Sequence, residues 1–336
     1  MSRALDDEAL LPLVDALASG DWQSGERLAE AAGVTRAALA KRIAQVEAWG
    51  LDIEARTGLG YRLAAPLERL DDVALRAALS PAAAARLRRL DVALRVDSTN
   101  QRLLEAPGAD DPQALFAEAQ TAGRGRRGRD WRSPFGANVY LSLAWSFAGW
   151  PPKLGCLPLA VGVAASRALA ASGLAGVQLK WPNDLKLGED KLGGILIESR
   201  SEIGGPCRVI VGLGLNVSMS AAQAAALGQP WVSVHAAQDR LAVARVPRPQ
   251  LAAGVLGALV EALAAFEADG FARFAEDWAR LDQSFGRTVT VSGLGDSFQG
   301  IARGIDDDGA LRVELPDGSI RSLHAGEISV RLGPAP

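Results

Sequence analysis

The stretch AQTAGRGRRGRDWRSPFGANVYLSLAW (residues 119–145) decides which class of fold the rest of the chain can build. Its glycines Gly123, Gly125 and Gly128 match the G-x-G-x-x-G pattern of dinucleotide-binding loops. In such loops the glycines lie between a strand and the first turn of a helix, where a pyrophosphate meets the helix N-terminus. Here Pro134 and then a strand-like segment follow the glycines. The context therefore argues against a dinucleotide-binding turn.

Four arginines fill residues 123–129, which we call the arginine loop, and they suggest a different ligand. A guanidinium group keeps its charge near neutral pH and binds phosphate oxygens through paired hydrogen bonds. The glycines between the arginines would let the loop open and close. The four are Arg124, Arg126, Arg127 and Arg129. The loop favours a clamp on a phosphate-containing ligand, and a solvated basic turn is the alternative.

The bulk composition limits the classes of protein. The chain has 336 residues, 49% of them hydrophobic, which favours two or three folded domains. A net charge of −3 gives no support for nucleic-acid or membrane binding by the whole molecule. Neither cysteine belongs to a C-x-x-C pair and the two histidines lie far apart, which argues against disulfide, thiolate-metal and histidine-based sites. The N-terminus carries acids where a signal peptide carries bases, so we expect a cytoplasmic protein.

Residues 1–65 have the pattern of a winged helix-turn-helix DNA-binding domain. SGERLAEAAG predicts a short helix that ends at Gly33, and Thr35 can cap the apolar-periodic helix that follows at once. Two helices joined by a tight glycine turn are typical of helix-turn-helix domains, and LDIEARTGLGYRL predicts a hairpin wing. Residues 66–90 are interpreted as a charged, alanine-rich helical connector.

Residues 91–283 mix predicted strands and helices, and the strands outnumber the helices without strict alternation. This favours an α+β domain over a doubly wound parallel sheet. Within it, VQLKWPNDLKL is interpreted as one strand and residues 248–281 as one helix. Residues 284–336 contain short predicted strands with hairpin turns at Asp308-Gly309 and Asp317-Gly318, which predict a small SH3-like β-barrel.

Polar motifs in the central region supply further candidate ligands. LKWPNDLKL places Lys180, Asn183 and Asp184 around a Trp-Pro turn, where they can neutralise phosphate or hold Mg²⁺ together with water. Lys191 precedes the glycines of KLGGILIES and can reach into a pocket. Asn216 ends VGLGLN and offers an amide to a purine or ribose. The alternatives are a polar turn, a surface lysine and close strand packing.

A further motif, DSTNQ, offers small donors and acceptors that suit an uncharged polar ring, although a helix cap explains it nearly as well. DSTN, the arginine-loop stretch, KWPNDL, KLGGILIE and VGLGLNV occur in the order and spacing of the biotin protein ligases. With the helix-turn-helix ahead and the barrel behind, nearly the whole chain resembles the bifunctional bacterial form, which is both ligase and biotin-operon repressor.

The resemblance implies an activity and its partners. The central domain would be class II synthetase-like and would make biotinyl-5′-AMP from biotin and ATP, with Mg²⁺. It would then transfer biotin to one lysine of the biotin carboxyl carrier protein of acetyl-CoA carboxylase. The biotinyl-AMP-bound protein would form a homodimer that binds biotin operator DNA and represses biotin-synthesis genes. No membrane partner is implied.

The resemblance also assigns roles to individual residues. The implied biotin-binding residues are Ser98, Thr99, Asn100, Gln120, Gly123, Arg124, Arg126, Lys191 and Gly193. The implied nucleotide-binding residues are Arg126, Arg127, Arg129, Trp131, Lys180, Asn183, Asn216, Arg303 and Arg331. The implied catalytic residues are Arg126, Lys191 and Asp184. Asp184 would contact the Mg²⁺ that accompanies ATP or take a proton from the acceptor amine, and no fixed metal site is expected.

The DNA-binding half rests on a local basic face. Residues 1–65 contain seven Lys and Arg against ten Asp and Glu, a balance that disfavours non-specific DNA binding. The implied DNA-binding residues are Thr35, Arg36, Lys41 and Arg42, with Arg56 and Arg62 on the wing. Three alternatives stay open: a ligase with a vestigial or differently targeted DNA-binding domain, a lipoate-ligase-like acyl transferase, and a ligand sensor without enzyme activity. The arginine loop followed by KWPND argues against the second.

Overall fold

The computed structural model describes residues 7–107, 111–201, 205–225, 227–293, 295–325 and 328–333. They form three units in chain order: a small helical unit with a two-stranded hairpin, a central unit built on a seven-stranded sheet, and a five-stranded antiparallel unit. The predicted α+β multidomain organisation is confirmed.

The N-terminal unit is a winged helix-turn-helix. Its elements are α1 (Leu11–Leu17), α2 (Gly25–Ala31), α3 (Arg36–Glu47), β1 (Ile53–Arg56) and β2 (Gly60–Leu63). Thr35 fixes the start of α3, because its hydroxyl accepts a hydrogen bond from the Ala38 amide at 3.2 Å. Leu39, Ile43 and Val46 recur on one face of α3 and are buried in an apolar cluster with α1 and α2.

The connector consists of α4 (Asp72–Ala77) and α5 (Pro81–Arg86) and packs on the central unit. Asp71 and Ser80 cap these helices by accepting amide hydrogens of their first turns. Ser80 also donates a hydrogen bond to Glu261 at 3.0 Å. The connector is therefore held against the central unit rather than extended between units.

The central sheet positions the candidate site. Its strands are β3 (Arg89–Val96), β4 (Gln113–Gln120), β5 (Asn138–Phe147), β6 (Val177–Lys180), β7 (Asp184–Leu187), β8 (Asp190–Ser201) and β9 (Cys207–Asn216). Their order is β3-β4-β5-β9-β8-β7-β6, with β3 and β4 parallel and the other neighbours antiparallel. The segment expected as one strand is the hairpin β6–β7. Pro182 has no N–H to donate to a strand ladder, and Lys180 pairs with Asp184 across the turn.

The helices of the central unit are α6 (Thr99–Glu105), α7 (Leu157–Ala171), α8 (Ala221–Ala224), α9 (Val234–Arg240), α10 (Arg248–Asp269) and α11 (Ala272–Leu281). Helices α7 and α10 pack on one face of the sheet, and α6 packs on the other face, where Leu103 contacts Leu115, Ala144 and Ile210. The single helix expected over residues 248–281 is two helices, because the chain turns at Gly270, whose φ is +66°. Two helical segments, residues 154–171 and α10, are long and apolar enough to cross a membrane. They are 61% and 56% buried inside the folded chain, as core helices are.

The C-terminal unit is a five-stranded antiparallel sheet of the predicted kind. Its strands are β10 (Thr288–Gly293), β11 (Gly295–Ile305), β12 (Leu311–Glu314), β13 (Ile320–Leu323) and β14 (Ser329–Leu332), in the order β13-β12-β11-β10-β14. Gly309 and Gly318 adopt positive φ at the two predicted Asp-Gly turns. The indole of Trp181 donates to the Gly309 carbonyl at 3.0 Å, which ties this unit to the β6–β7 turn.

Candidate active site

A cavity of about 1090 Å³ opens over one face of the central sheet. Its floor crosses β5, β9, β8 and β7, and its rim comes from the arginine loop, residues 227–231 and β14. The opposite face of the sheet packs on α7 and α10. The cavity therefore lies on the sheet face opposite α7 and α10, beside α6.

Uncharged polar groups gather at the end of the cavity beside α6. Ser98 caps α6, and Thr99 donates its amide and its hydroxyl to Gln120 Oε1 at 2.9 and 3.1 Å. The Ser142 hydroxyl lies 2.6 Å from Asn100 Oδ1 and is fully buried. This end offers hydrogen-bonding groups that are already oriented, and it suits a neutral polar ring.

Glu198 joins this uncharged end to the arginine loop. Its Oε2 accepts a hydrogen bond from Asn100 Nδ2 at 2.9 Å, and its Oε1 lies 3.1 Å from Arg124 Nη2. Arg124 also donates to Gln101 Oε1 at 2.9 Å. The carboxylate and the guanidinium offset each other, so this end of the cavity stays close to neutral.

Glycines make room in the middle of the floor. A Cβ atom on Gly212 would lie 2.3 Å from Asn100 Oδ1, and one on Gly214 would lie 2.3 Å from the Trp131 ring. A Cβ on Gly194 would also contact this ring, at 3.2 Å. Side chains at these positions would displace Asn100 and Trp131, which explains the glycines on physical grounds.

Lysines dominate the other end of the cavity. Lys191 Nζ lies 2.7 Å from Asp184 Oδ1 and 5.5 Å from the centre of the Trp131 ring. Burial lowers the pKa of Lys180 and of Lys186, and the nearby Asp184 carboxylate opposes both shifts. Partly desolvated cations in a cavity favour an anionic ligand.

The arginine loop covers the cavity from above. Arg126 points inward: its guanidinium donates to Asn183 Oδ1 at 3.3 Å and to the Ala325 carbonyl of the C-terminal unit. Burial lowers the pKa of Arg126 and the nearby Asp184 carboxylate opposes the shift. A guanidinium group nevertheless stays charged in proteins. The other two arginines of the rim, Arg127 and Arg129, are exposed.

The structure brings most of the residues predicted from the sequence to this one cavity. Its lining includes Ser98, Thr99, Asn100, Gln120, Arg124, Arg126, Arg127, Arg129, Trp131, Lys180, Asn183, Asp184, Lys191, Asn216 and Arg331. Gly123 and Gly193 do not line it, and Gly194 rather than Gly193 faces Trp131. Arg303 also lies outside the lining and pairs with Glu314 at 2.5 Å.

Other placements refine the sequence interpretation. The Asn216 amide donates to the carbonyls of Lys191 and Val232 at 3.3 and 3.4 Å, so it holds the backbone of the cavity wall. Sequence reasoning placed Lys186 in the LKWPNDLKL motif without assigning it a role and missed Glu198, and both contribute to the site. For Lys186 the available signal was its period-two spacing from Asp184 on a strand.

Within the described ranges, no group of three His, Cys, Asp or Glu side chains is placed to hold a metal ion. Asp184 lies among the lysines of the cavity and bonds to Lys191. A divalent cation therefore fits here as the companion of a phosphate ligand, with Asp184 as a carboxylate contact and water filling the remaining positions.

A separate candidate surface lies on α3. The Thr35 hydroxyl is used in the helix cap, and Arg36 lies 3.4 Å from Glu26 with both side chains exposed. On the same helix, Lys41 is exposed and Arg42 is half-buried. This surface can offer two to three cations to a polyanion.

Three family models match the chain, one in each unit. An HTH domain matches residues 16–62, the Biotin/lipoate A/B protein ligase family matches residues 92–216, and the Biotin protein ligase C terminal domain matches residues 284–331. The model matches therefore follow the three units of the structure.

Individual proteins are similar over most of the chain. The Bifunctional ligase/repressor BirA of Escherichia coli (strain K12) is 38% identical over 97% of this chain and 98% of its own. The Biotin--[acetyl-CoA-carboxylase] ligase of Mycobacterium tuberculosis is 34% identical over 72% of this chain and 88% of its own. The solved structure of an Aquifex aeolicus biotin protein ligase in complex with biotin and ATP is 28% identical, with a TM-score of 0.60. This match covers 73% of the present chain and all of the Aquifex aeolicus chain.

Proposed function

This chain belongs to the bifunctional ligase/repressor family of biotin protein ligases, and we propose that its cavity joins biotin to ATP. The first step forms biotinyl-5′-AMP and releases pyrophosphate. The second step passes the biotinyl group to a lysine of a carrier protein and releases AMP. The enzyme is thus a biotin–[biotin carboxyl-carrier protein] ligase.

The change of charge along the cavity is the observation that carries this proposal. Ser98, Thr99 and Gln120 offer uncharged polar groups at one end, which match the ureido ring of biotin. Lys191 and Lys180 lie at the other end, where the biotin carboxylate would meet the phosphates of ATP. A neutral ring and an anionic tail therefore fit the cavity in one orientation.

In the first step, a biotin carboxylate oxygen attacks the α-phosphorus of ATP. Several negative charges meet in this step, so fixed cations aimed at the reacting oxygens stabilise the transition state. Lys191 is held by Asp184 at 2.7 Å and Arg126 by Asn183 at 3.3 Å, so both cations are oriented before the ligand binds. Mg²⁺ that enters with ATP would add further charge neutralisation beside Asp184.

In the second step, the amine of the acceptor lysine attacks the carbonyl carbon of the mixed anhydride. The new amide bond replaces the bond to the AMP oxygen, and AMP leaves. Positioning supplies much of the acceleration of such a step. Asp184 is the candidate acceptor of the amine proton, although its contact with Lys191 also gives it a positioning role.

The acceptor that we propose is the biotin carboxyl carrier protein of acetyl-CoA carboxylase, and the proposed location is the cytoplasm. A transfer assay tests the activity: purified protein, biotin, MgATP and a carrier domain should give a carrier heavier by one biotinyl group. The Lys191→Met variant should lose most of this activity. Modification of the carrier by lipoate, and not by biotin, would instead support a lipoate ligase.

The N-terminal unit supports a second function, repression of transcription at a biotin operator. Lys41 is exposed and Arg42 is half-buried on the helix that such domains place in the major groove. We propose that the protein binds this DNA as a homodimer when biotinyl-AMP fills the cavity. A gel-shift titration with operator DNA should show tighter binding with biotin and ATP present. Absence of a shift in both conditions would leave the protein a ligase only.

A further inference from the structure

Lys186 is a buried cation of the cavity that the roles above do not use. It lies on β7, is 9% exposed and forms part of the cavity lining. Its ammonium group donates to the backbone carbonyl of Glu189. Within the part of the chain that the structure describes, no carboxylate forms a salt bridge with it. The carboxylates of Asp184, Glu189 and Asp190 lie near enough to favour its charge without forming a salt bridge. A buried cation that lacks a bonded carboxylate still favours an anionic ligand.

The strand register places Lys186 on the cavity face of the sheet. It lies opposite Lys191 on β8, and Lys180 lies opposite Asp184 within the β6–β7 hairpin to which Lys186 belongs. Alternate residues Leu179 and Leu185 point to the other face and are buried in the apolar core. Four charged side chains of β6, β7 and β8 therefore share one face, three of them lysines.

Asp184 neutralises one of these three lysines. Its Oδ1 lies 2.7 Å from Lys191 Nζ. Among the described residues, Asp184 forms no salt bridge with Lys180 or Lys186. Two cations thus remain for a ligand at the outer edge of the sheet.

Lys186 lies several strands away from the end of the cavity that we assign to the biotin ring. Gln120 ends β4, and β5, β9 and β8 lie between β4 and β7. Four strand spacings correspond to roughly 19 Å. A biotin molecule whose ring contacts Gln120 is too short to reach Lys186, whereas the terminal phosphates of a nucleotide placed after the biotin carboxylate extend in that direction.

We propose that Lys186, together with Lys180, binds the pyrophosphate leaving group of the first step; this rests on the proposed ligase function. As the biotin oxygen bonds to the α-phosphorus, the bond from that phosphorus to the bridging oxygen breaks. The electron pair of the broken bond leaves on the pyrophosphate. An ammonium group at this oxygen or its neighbours stabilises the charge that develops there.

The experiment measures binding of magnesium pyrophosphate to the biotin-saturated protein by isothermal titration calorimetry. Lys186→Met should weaken this binding by about 10-fold or more, because one charge-assisted contact is lost. Lys186→Arg should retain most of the affinity. Lys153→Met, at an exposed lysine outside the cavity, is the matched control and should bind like wild type. Circular dichroism checks the fold, and Lys186→Gln replaces the Met variant if that variant unfolds.

The outcomes separate this site from the ligase activity. A wild-type protein that makes biotinyl-AMP while Lys186→Met binds pyrophosphate as tightly as wild type would overturn the Lys186 site alone. A wild-type protein that binds pyrophosphate through Lys186 but makes no biotinyl-AMP would overturn the ligase proposal and leave the anion site. No detectable pyrophosphate binding by wild type would overturn the site in either case.

Discussion

Glu198 holds together groups from three parts of the chain at the uncharged end of the cavity. It contacts Asn100 at 2.9 Å and Arg124 at 3.1 Å, and Arg124 contacts Gln101 at 2.9 Å. These contacts fix one end of the arginine loop above the position that we assign to biotin. The carboxylate is therefore a positioning group, since it acts on the ligand through the loop.

Glu198→Gln should raise the KM for biotin about fivefold and leave the KM for ATP nearly unchanged. The Arg124 side chain is 41% exposed, so solvent screens the ion pair and its loss costs about 1 kcal/mol. Steady-state kinetics with each substrate varied in turn measures the effect. Glu276→Gln, at an exposed glutamate, is the control. An equal rise in both KM values would assign Glu198 a general structural role instead.

The hairpin β6–β7 and strand β8 behave as one cationic surface, and their lysines give the enzyme a pH dependence. Burial lowers the pKa of Lys180 and Lys186 below the ordinary value of 10.5. A lysine is cationic below its pKa, so the charge that holds phosphate is present at low pH and is lost as pH rises. The loss occurs at a lower pH than for an exposed lysine.

The KM for ATP should therefore rise as the pH is increased from about 7 to about 10, before ordinary lysines lose their charge. The double variant Lys180→Arg and Lys186→Arg should show a flatter profile, because arginine stays charged over this range. Lys153→Arg should retain the wild-type profile. A wild-type KM that does not change with pH would show that these lysines do not bind the nucleotide.

On helix α3 and on the wing, some cations are paired with other groups of the chain and others are exposed. On the wing, Arg62 lies 2.7 Å from Glu54 and 4.7 Å from the centre of the Trp22 ring, so its charge is already used. Lys41 of α3 and Arg56 of the wing are exposed, and Arg42 of α3 is half-buried. We expect α3 and the wing residue Arg56 to provide the phosphate contacts of this unit.

The double variant Lys41→Ala and Arg42→Ala should weaken operator binding by about 10-fold or more. It should also reduce the slope of log affinity against log salt concentration by about two, since two phosphate contacts are lost. Fluorescence anisotropy at several salt concentrations measures both quantities. Biotin transfer should stay at the wild-type rate, because α3 lies outside the cavity. An unchanged salt slope would place the DNA contacts elsewhere.

The elements also show what sequence reasoning can reach. The apolar spacing of α3, the Thr35 cap and the two Asp-Gly turns are local signals, and the structure has each of them where the sequence predicts it. Whether Lys186 and Glu198 contribute to the site depends on which face of each strand turns toward the cavity, and that face is set by the packing of the whole sheet, not by the local alternation. Arg303 pairs with a residue of the neighbouring strand, which no local pattern reveals.

The three units form one molecule through contacts at the rim of the cavity. Trp49, just beyond the end of α3, stacks on Phe135 with ring centres 5.0 Å apart and planes at 27°. Phe135 closely follows the arginine loop, and Ser133 between them bonds to Gln120 at 3.0 Å. On the other side of the cavity, the Gln223 side chain donates to the Gly50 carbonyl at 3.4 Å. Segments beside the ligand thus contact the DNA-binding unit directly.

Trp49→Ala should loosen the N-terminal unit from the central unit. The variant removes a side chain that is only 8% exposed, and Phe135 loses its stacking partner. Removal of a buried tryptophan costs about 3 kcal/mol, part of which appears as weaker attachment of this unit. Faster proteolysis near residues 64–70 and a smaller effect of biotin and ATP on operator affinity should both result. Trp150→Ala is the matched control, because Trp150 is 62% exposed and its loss should change neither quantity. Equal behaviour of the two variants would mean that the Trp49–Phe135 contact does not couple the cavity to DNA binding.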